Sequence, residues 1–504
     1  MRFLFSVLIT LFSFVAIAQI SNVVIGSEFL NNRKSSFNGF VGETDLMVFA
    51  VDYTFISKKK QELLVRKYDK NDLSLIESVD ILSNPLIEYY NTPLELFLVN
   101  KTFYLFSKFE NTKENQSRIG LFIFDENCQP LSFKVIDTVA HISKTEIEVK
   151  MSSDTSGFLV TQSHLHKVAN RQVVELLSID LNGGVKWKKE LLSTNSVNQT
   201  EVEQIIHTKN ETYLLCNYGY KSAATSTSLS NKYTLWVYNH KLNFMKEVVL
   251  RLKRKWINGV KIILNKDNNL VVAGYVNDSK HFGINASFNF KLNDKYEPQT
   301  VNYYKFTNAD LAKFIASKKV SRKNYIEDIY LRDLVLQKDG SFYTIGEAYY
   351  IYVDRVYDPR TNITSTTNHY NYNALLISYF DKEGKLKWIK RLTKNQNTIE
   401  DYGLYSSFTT ANLNNNSMAI IYNDNEKNLS LSVKDHANHR ELFNNRRHAI
   451  VYVLIDETGI IKRKRVVEKT NFNVYAKQSK ALKDNHIYLR TEYGRYSKVV
   501  GVNF

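Results

Sequence analysis

Four carboxylates stand where acid–base chemistry would need them. Asp52, Glu347, Asp424 and Glu492 each close or follow a strand-like apolar run. A carboxylate leaving a buried strand emerges at a rim, and two such groups at a suitable separation can serve as acid and base in glycoside hydrolysis. Nothing in the spacing fixes their separation, and ordinary rim charges are the plainer expectation. A second stretch gathers Tyr349, Tyr350, Tyr352, Tyr357, Asn362, His369, Tyr370 and Tyr372. Tyrosine faces stack and amides hydrogen-bond, which suits a sugar or a peptide, although such a loop can also pack on its own rings. Asp435-His-Ala-Asn-His439, with His448 nearby, could share a metal only if a third ligand joined it. None stands at a convincing spacing, so no metal is expected. No phosphate loop, nucleophile elbow or dinucleotide fingerprint occurs, and no cofactor or catalytic residue is expected.

The elements that must hold these residues come from a repeat. An apolar strand, an Asp or Asn, a short polar turn and a second strand recur at Leu63–Asp69, Leu121–Asp125, Leu176–Asp180, Leu235–Asn239, Phe288–Asn293, Leu376–Asp381 and Tyr452–Asp456. The Asp or Asn side chain bonds its own backbone two residues on and so starts a turn. Gly184, Gly384 and Gly459 are expected to supply the positive φ. A second hairpin precedes each of these, as at Ile262–Gly274 and Leu334–Gly346. Each unit therefore has four antiparallel strands, A to D. Strand B is apolar at consecutive positions (Leu270-Val-Val-Ala, Met418-Ala-Ile-Ile), as for a strand covered on both faces.

Units begin near residues 36, 93, 148, 203, 258, 330, 406 and 478, at first about 55 residues apart and later more than 70. The chain is expected to be all-β: a β-propeller of eight four-stranded antiparallel blades, with seven as the fallback. The last unit ends without a strand D, and the apolar segment 20–29 is expected to supply it and close the ring. Residues 19–504 then form one propeller domain. B–C and D–A connections share one face of such a ring. The long inserts 305–329, 350–372 and 424–447 fall there, on neighbouring blades, where rigid rings usually carry function. The rim candidates are Glu347, Tyr349, Tyr350, Tyr352, Tyr357, Tyr370, Tyr372 and Asp424.

Asp180-Leu-Asn-Gly-Gly-Val-Lys-Trp187 and Asp381-Lys-Glu-Gly-Lys-Leu-Lys-Trp388 resemble the Asp-x-x-Gly-x-x-x-Trp hairpin of bacterial quinoprotein-like (PQQ-like repeat) propellers, a superfamily akin to WD40 proteins. Asp456-Glu-Thr-Gly459 matches without the Trp. The resemblance implies a fold rather than an activity, since members range from quinone-dependent dehydrogenases to scaffolds of outer-membrane assembly. Many of the dehydrogenases carry a vicinal disulfide. This chain has no adjacent cysteines, so that activity is not carried over.

Arg2, the apolar run from Phe3 to Val15 and Ala16-Ile17-Ala18 have the form of a secretory signal peptide over residues 1–18. A periplasmic or extracellular location is expected, with no transmembrane segment. Cys128 and Cys216 are expected to be separate thiols. The net charge of +16 points to anionic partners such as acidic glycans, and away from nucleic acid in an exported chain. The reading is a monomeric, non-enzymatic binding or scaffold propeller that holds a protein or glycan. The alternatives are a glycan-active hydrolase or lyase, and an outer-membrane β-barrel suggested by the terminal Val499–Phe504.

Overall fold

The computed structural model describes residues 20–31, 35–57, 60–83, 91–111, 116–140, 146–166, 171–192, 200–218, 232–265, 267–279, 283–315, 323–432, 437–444, 446, 448–467 and 471–504. The leader read at residues 1–18, together with Asp435 and His436, lies outside them.

Eight separate sheets are formed, each with the strand order A-B-C-D. Blade one comprises Ser35–Glu43, Met47–Ser57, Lys60–Asp69 and Leu75–Asp80. Blades two to five span 91–140, 146–192, 200–250 and 256–305. Blade six is Ile329–Leu336, Phe342–Asp358, Ile363–Phe380 and Leu386–Leu392. Blade seven is Thr409–Asn412, Met418–Asn425, His448–Ile455 and Ile461–Arg465. Blade eight has Lys480–Lys483, His486–Tyr493 and Tyr496–Asn503, and its outermost strand is Asn22–Ile25 from the other end of the chain. That strand pairs antiparallel with the last one, from Asn22↔Asn503 to Ile25↔Val500. The ring is thus an eight-bladed propeller closed by the N-terminal strand. Eight radial sheets also leave no continuous wall for a barrel.

Packing explains the unbroken apolar runs in strand B. A blade is buried on both faces, so alternate residues of one strand enter two different seams. Leu270 and Val272 face blade four, whereas Val271 and Ala273 face blade six. Met418, Ile420 and Tyr422 fill the seam with blade six, and Ala419 and Ile421 the seam with blade eight. The closing seam is filled as well: Phe37, Phe40, Val48 and Tyr68 of blade one pack on Tyr475, Tyr488 and Val499. A seven-bladed count would leave one of these clusters without its second wall.

The turn chemistry follows the Asp and Asn residues. Asp381 Oδ1 accepts from the amides of Glu383 (3.1 Å) and Lys385 (2.8 Å), and Gly384 takes φ +79°. Asp456 and Gly459 repeat the arrangement. In blade three the positive φ falls on Gly183 (+77°), not on Gly184 as expected, because the left-handed residue is the third after the Asp in all three turns. Gly184 is needed for space instead, since a Cβ there would lie 2.8 Å from Asp180 Oδ2. The motif tryptophan stitches blades together: Trp388 Nε1 donates to Glu457 O of the next blade at 2.7 Å. Cys128 and Cys216 are buried thiols in blades two and four.

Candidate functional site

Strand A is innermost, and in blades one, two, four, five and six it carries a bulge near its start. A bulge inserts one residue and re-aims a side chain. In blade six the inserted residue is Arg332, between Leu331 and Asp333. Its Nε lies 3.2 Å from Glu347 Oε2, and its guanidinium sits 5.1 Å from the centre of the Tyr349 ring.

Glu347 is fully buried and far from an open rim charge. Lys394 Nζ, also fully buried, approaches Oε1 at 2.9 Å, and Ser407 Oγ donates to Oε2 at 2.8 Å. Lys394 further donates to Tyr372 O (2.9 Å) and Gln396 Oε1 (2.8 Å). Burial pulls the Lys394 ammonium below its usual range, and the Glu347 charge opposes that pull.

Above this pair lies a row of rings and cations. The Tyr349 and Tyr372 rings meet at 4.6 Å between centroids, tilted by 40°. Lys477, in the turn before strand A of blade eight, lies 4.2 Å from the centre of the Tyr372 ring and donates to its hydroxyl (2.7 Å) and to Gly403 O (3.0 Å). Lys477 is exposed at its outer end, but the surrounding walls displace water and hold its pKa down to about 8. Arg332 and Lys394 push in the same direction, and Glu347 and Asp401 oppose them. Burial raises the Tyr372 phenol above its usual range. Tyr330 and Tyr402, 48% and 80% exposed, flank the row; Tyr330 packs on Tyr349 and Tyr402 on Tyr370.

The aromatic insert is not an irregular loop. Strands B and C of blade six run on past the ring as a hairpin paired from Tyr349↔Tyr372 to Asp358↔Ile363. Gln396–Ile399 pairs with its root, and Leu442–Phe443 of the blade-seven insert adds parallel to that. Tyr349, Tyr370 and Tyr372 share one face of the hairpin root, and Tyr370 and Tyr372 are buried there. Tyr350 and Tyr352 occupy the opposite face, exposed, with Tyr352 against His369. Tyr357 stands near the tip, its hydroxyl donating to Asn362 Oδ1 at 2.9 Å. The described parts of the 305–329 insert pack between blades five and six, where Phe306, Leu311 and Ile326 join Tyr275 and Leu376.

The other strand-B carboxylates are paired off individually. Asp424 is buried against Asn428 (2.8 Å), His439 (3.6 Å) and Arg463 (3.8 Å). Glu492 accepts from the hydroxyls of Tyr475 (2.6 Å) and Tyr405 (3.3 Å). Asp52 takes Arg66 and Arg490. None of the four faces another across open space, as a hydrolytic pair would. His439 and His448 also have separate partners, Asp424 and the Phe472 carbonyl, and no metal cluster forms among the described residues. Glu347, Tyr349 and Tyr372 are therefore brought together, with Tyr370 on the same hairpin face; Asp424 has its own partners although its charge reaches Lys394, and Tyr350, Tyr352 and Tyr357 lie elsewhere on the hairpin. Arg332, Lys394 and Lys477 were missed, because nothing in their local sequence ties them to Glu347 or sets them apart from the many other scattered basic residues.

No protein family matches the chain, and no curated protein resembles it in sequence. Solved structures resemble it in fold. The β-propeller domain of the Trilobed protease from Pyrococcus furiosus is 8% identical, covering 88% of this chain and 98% of that one at TM-score 0.38. The WD40 domain of SCAP from fission yeast is 11% identical, covering 96% and 95% at TM-score 0.37. An apocarotenoid oxygenase of Synechocystis is 8% identical, covering 66% and 69% at TM-score 0.34. The sheet order defines the chain as an eight-bladed β-propeller, and these likenesses agree with that fold and carry nothing further.

Proposed function

We propose that the protein is a non-enzymatic binding propeller that works outside the cytoplasm as a monomer and holds a protein or glycan on the rim of blades five to seven. The observation that carries this reading is the blade-six hairpin. It stands clear of the ring with Tyr350, Tyr352, Val356 and Tyr357 each more than 40% exposed, while the carboxylates beneath it are consumed in buried pairs. A rigid strand pair carrying tyrosines offers contact area at a low entropic cost. An acid–base enzyme needs carboxylates that reach substrate, and burial in ion pairs argues against that role. The test replaces residues 352–369 by a two-residue Asn-Gly turn and measures retention and turnover on a glycan array. Retention without new reducing ends, lost in the shortened variant, supports the reading. Turnover by the intact chain, or retention that survives the shortening, overturns it.

A further inference from the structure

We propose that Arg332 and Lys477 form a carboxylate-binding site for acidic glycans at the mouth of the central channel. The inference rests on the loop-rich rim being a binding face, and it names the chemistry that face recognises.

Charge bookkeeping carries the first half. Three cations, Arg332, Lys394 and Lys477, gather at the buried carboxylate Glu347, whose Oε1 is approached by Lys394 and whose Oε2 by Arg332 Nε and Ser407, while Asp424 acts on Lys394 from farther off. Lys394 is sealed with Glu347, which leaves Arg332 sharing that carboxylate through Nε alone and Lys477 without an ion pair among the described residues. Among the described residues the terminal nitrogens of Arg332 have no hydrogen-bond partner, and Lys477 is bonded only to neutral oxygens, Tyr372 Oη and Gly403 O. Asp401 is the other carboxylate near enough to act on Lys477. Burial, with Arg332 and Lys394, holds the ammonium below its usual range against the pull of Glu347 and Asp401. The Arg332 charge acts on Lys477, and a guanidinium edge near an ammonium matches a carboxylate.

The second half is the sugar. Arg332 lies 5.1 Å from the Tyr349 ring and Lys477 4.2 Å from the Tyr372 ring, the two rings are in contact, and the exposed Tyr330 and Tyr402 rings pack nearby on Tyr349 and Tyr370. Aromatic faces beside paired cations fit a pyranose ring that carries its own carboxylate. A flexible acidic peptide needs the cations but gains less from the rings. The chain's net charge of +16 raises the local concentration of any such polyanion.

The probe is oligogalacturonate, titrated calorimetrically into the full chain. Binding is expected, with neutral galactan oligomers at least tenfold weaker. Arg332→Gln and Lys477→Gln should each lose at least tenfold, while Lys462→Gln on the outer strand of blade seven loses nothing. Affinity should fall as pH rises through about 8, where Lys477 gives up its proton, and Lys477→Arg should abolish that fall. Equal binding of neutral galactan, variants that bind like wild type, or equal binding of dextran sulfate unaffected by either variant would overturn the site. Tighter binding of poly-glutamate would overturn the sugar assignment. The hairpin-shortened variant keeps Arg332 and Lys477. If it still binds oligogalacturonate with the same pH dependence, the site stands even where the hairpin reading has failed.

Discussion

The mouth of the channel and the closing seam solve the same electrostatic problem in opposite ways. Each sets more than one cation around one carboxylate. At the seam Asp52 faces Arg66 and Arg490, all three buried, and Asn31 Oδ1 accepts from both guanidiniums at 3.0 and 2.9 Å. The Phe29 ring lies 4.9 Å from one and 4.3 Å from the other, and Tyr68 Oη accepts from Arg490 at 2.6 Å. Asn31 and Phe29 belong to the N-terminal segment, so the residues that close the ring also shield its surplus charge. At the mouth the corresponding surplus, Arg332 and Lys477, is left open to solvent. A buried cation excess satisfied by dipoles and rings serves the fold. One left facing a channel is available to a ligand.

The largest expected contrast comes from removing a carboxylate at the seam. Asp52→Ala strands two buried guanidiniums and should cost about 3–5 kcal/mol in urea unfolding. Arg332→Gln at the mouth should change stability by less than about 1 kcal/mol. Equal losses would erase the distinction between the two regions.

A third, uncharged cluster sharpens it. His207, buried between blades three and four, shares the Thr212 hydroxyl with His240 at 2.9 and 2.8 Å. Burial holds the His207 pKa down to about 4, with His240 and Lys186 acting the same way and Asp154 opposing. Unfolded histidine binds a proton near pH 6.5 and the folded one does not until about 4. Below pH 6.5 the unfolded state therefore takes up more protons, and stability falls progressively until about pH 4. The Tm should drop across that window, and His207→Gln should flatten the drop. A wild-type Tm unchanged between pH 7 and 4.5 would contradict the buried neutral pair.

Asn31→Ala comes next, with an expected loss of about 1–3 kcal/mol for guanidiniums left short of an acceptor. A neutral effect would mean that the N-terminal segment closes the ring by strand pairing alone. Gly403→Ala tests the mouth. Gly403 has φ +66° and its Cβ would lie 2.3 Å from the Tyr372 ring, so a cost of about 1–2 kcal/mol is expected, with a changed near-ultraviolet tyrosine signal. Tyr357→Ser, at the hairpin tip, should alter stability by no more than about 0.5 kcal/mol.

The ring was legible in the sequence for local reasons. Asp381 and Gly384 announce their turn, and Met418-Ala-Ile-Ile announces a strand covered on both faces. The N-terminal strand followed from counting the strands of the last unit. The hairpin was legible too, because Tyr349-Tyr-Ile-Tyr-Val353 and Ile363-Thr-Ser-Thr-Thr367 flank Asp358-Pro, a strand–turn–strand pattern that reads as a loop only if insertions are assumed irregular. The site was half legible. Tyr349, Tyr372 and Glu347 stand near one another in the chain, but Lys394 and Lys477 arrive from connections to blades seven and eight. Nor does a strand-exit carboxylate reveal its partner when Asp52 and Arg490 are 438 residues apart. Burial is set by that pairing, so position alone makes Asp52, Glu347 and Asp424 rim charges where the fold buries them.

The contrast between sealed and open charge is tested most directly by anomalous diffraction from crystals soaked in sodium bromide. The account predicts bromide between Arg332 and Lys477 and none beside Arg66 and Arg490. Bromide at the seam pair, or a mouth without it, would contradict the account.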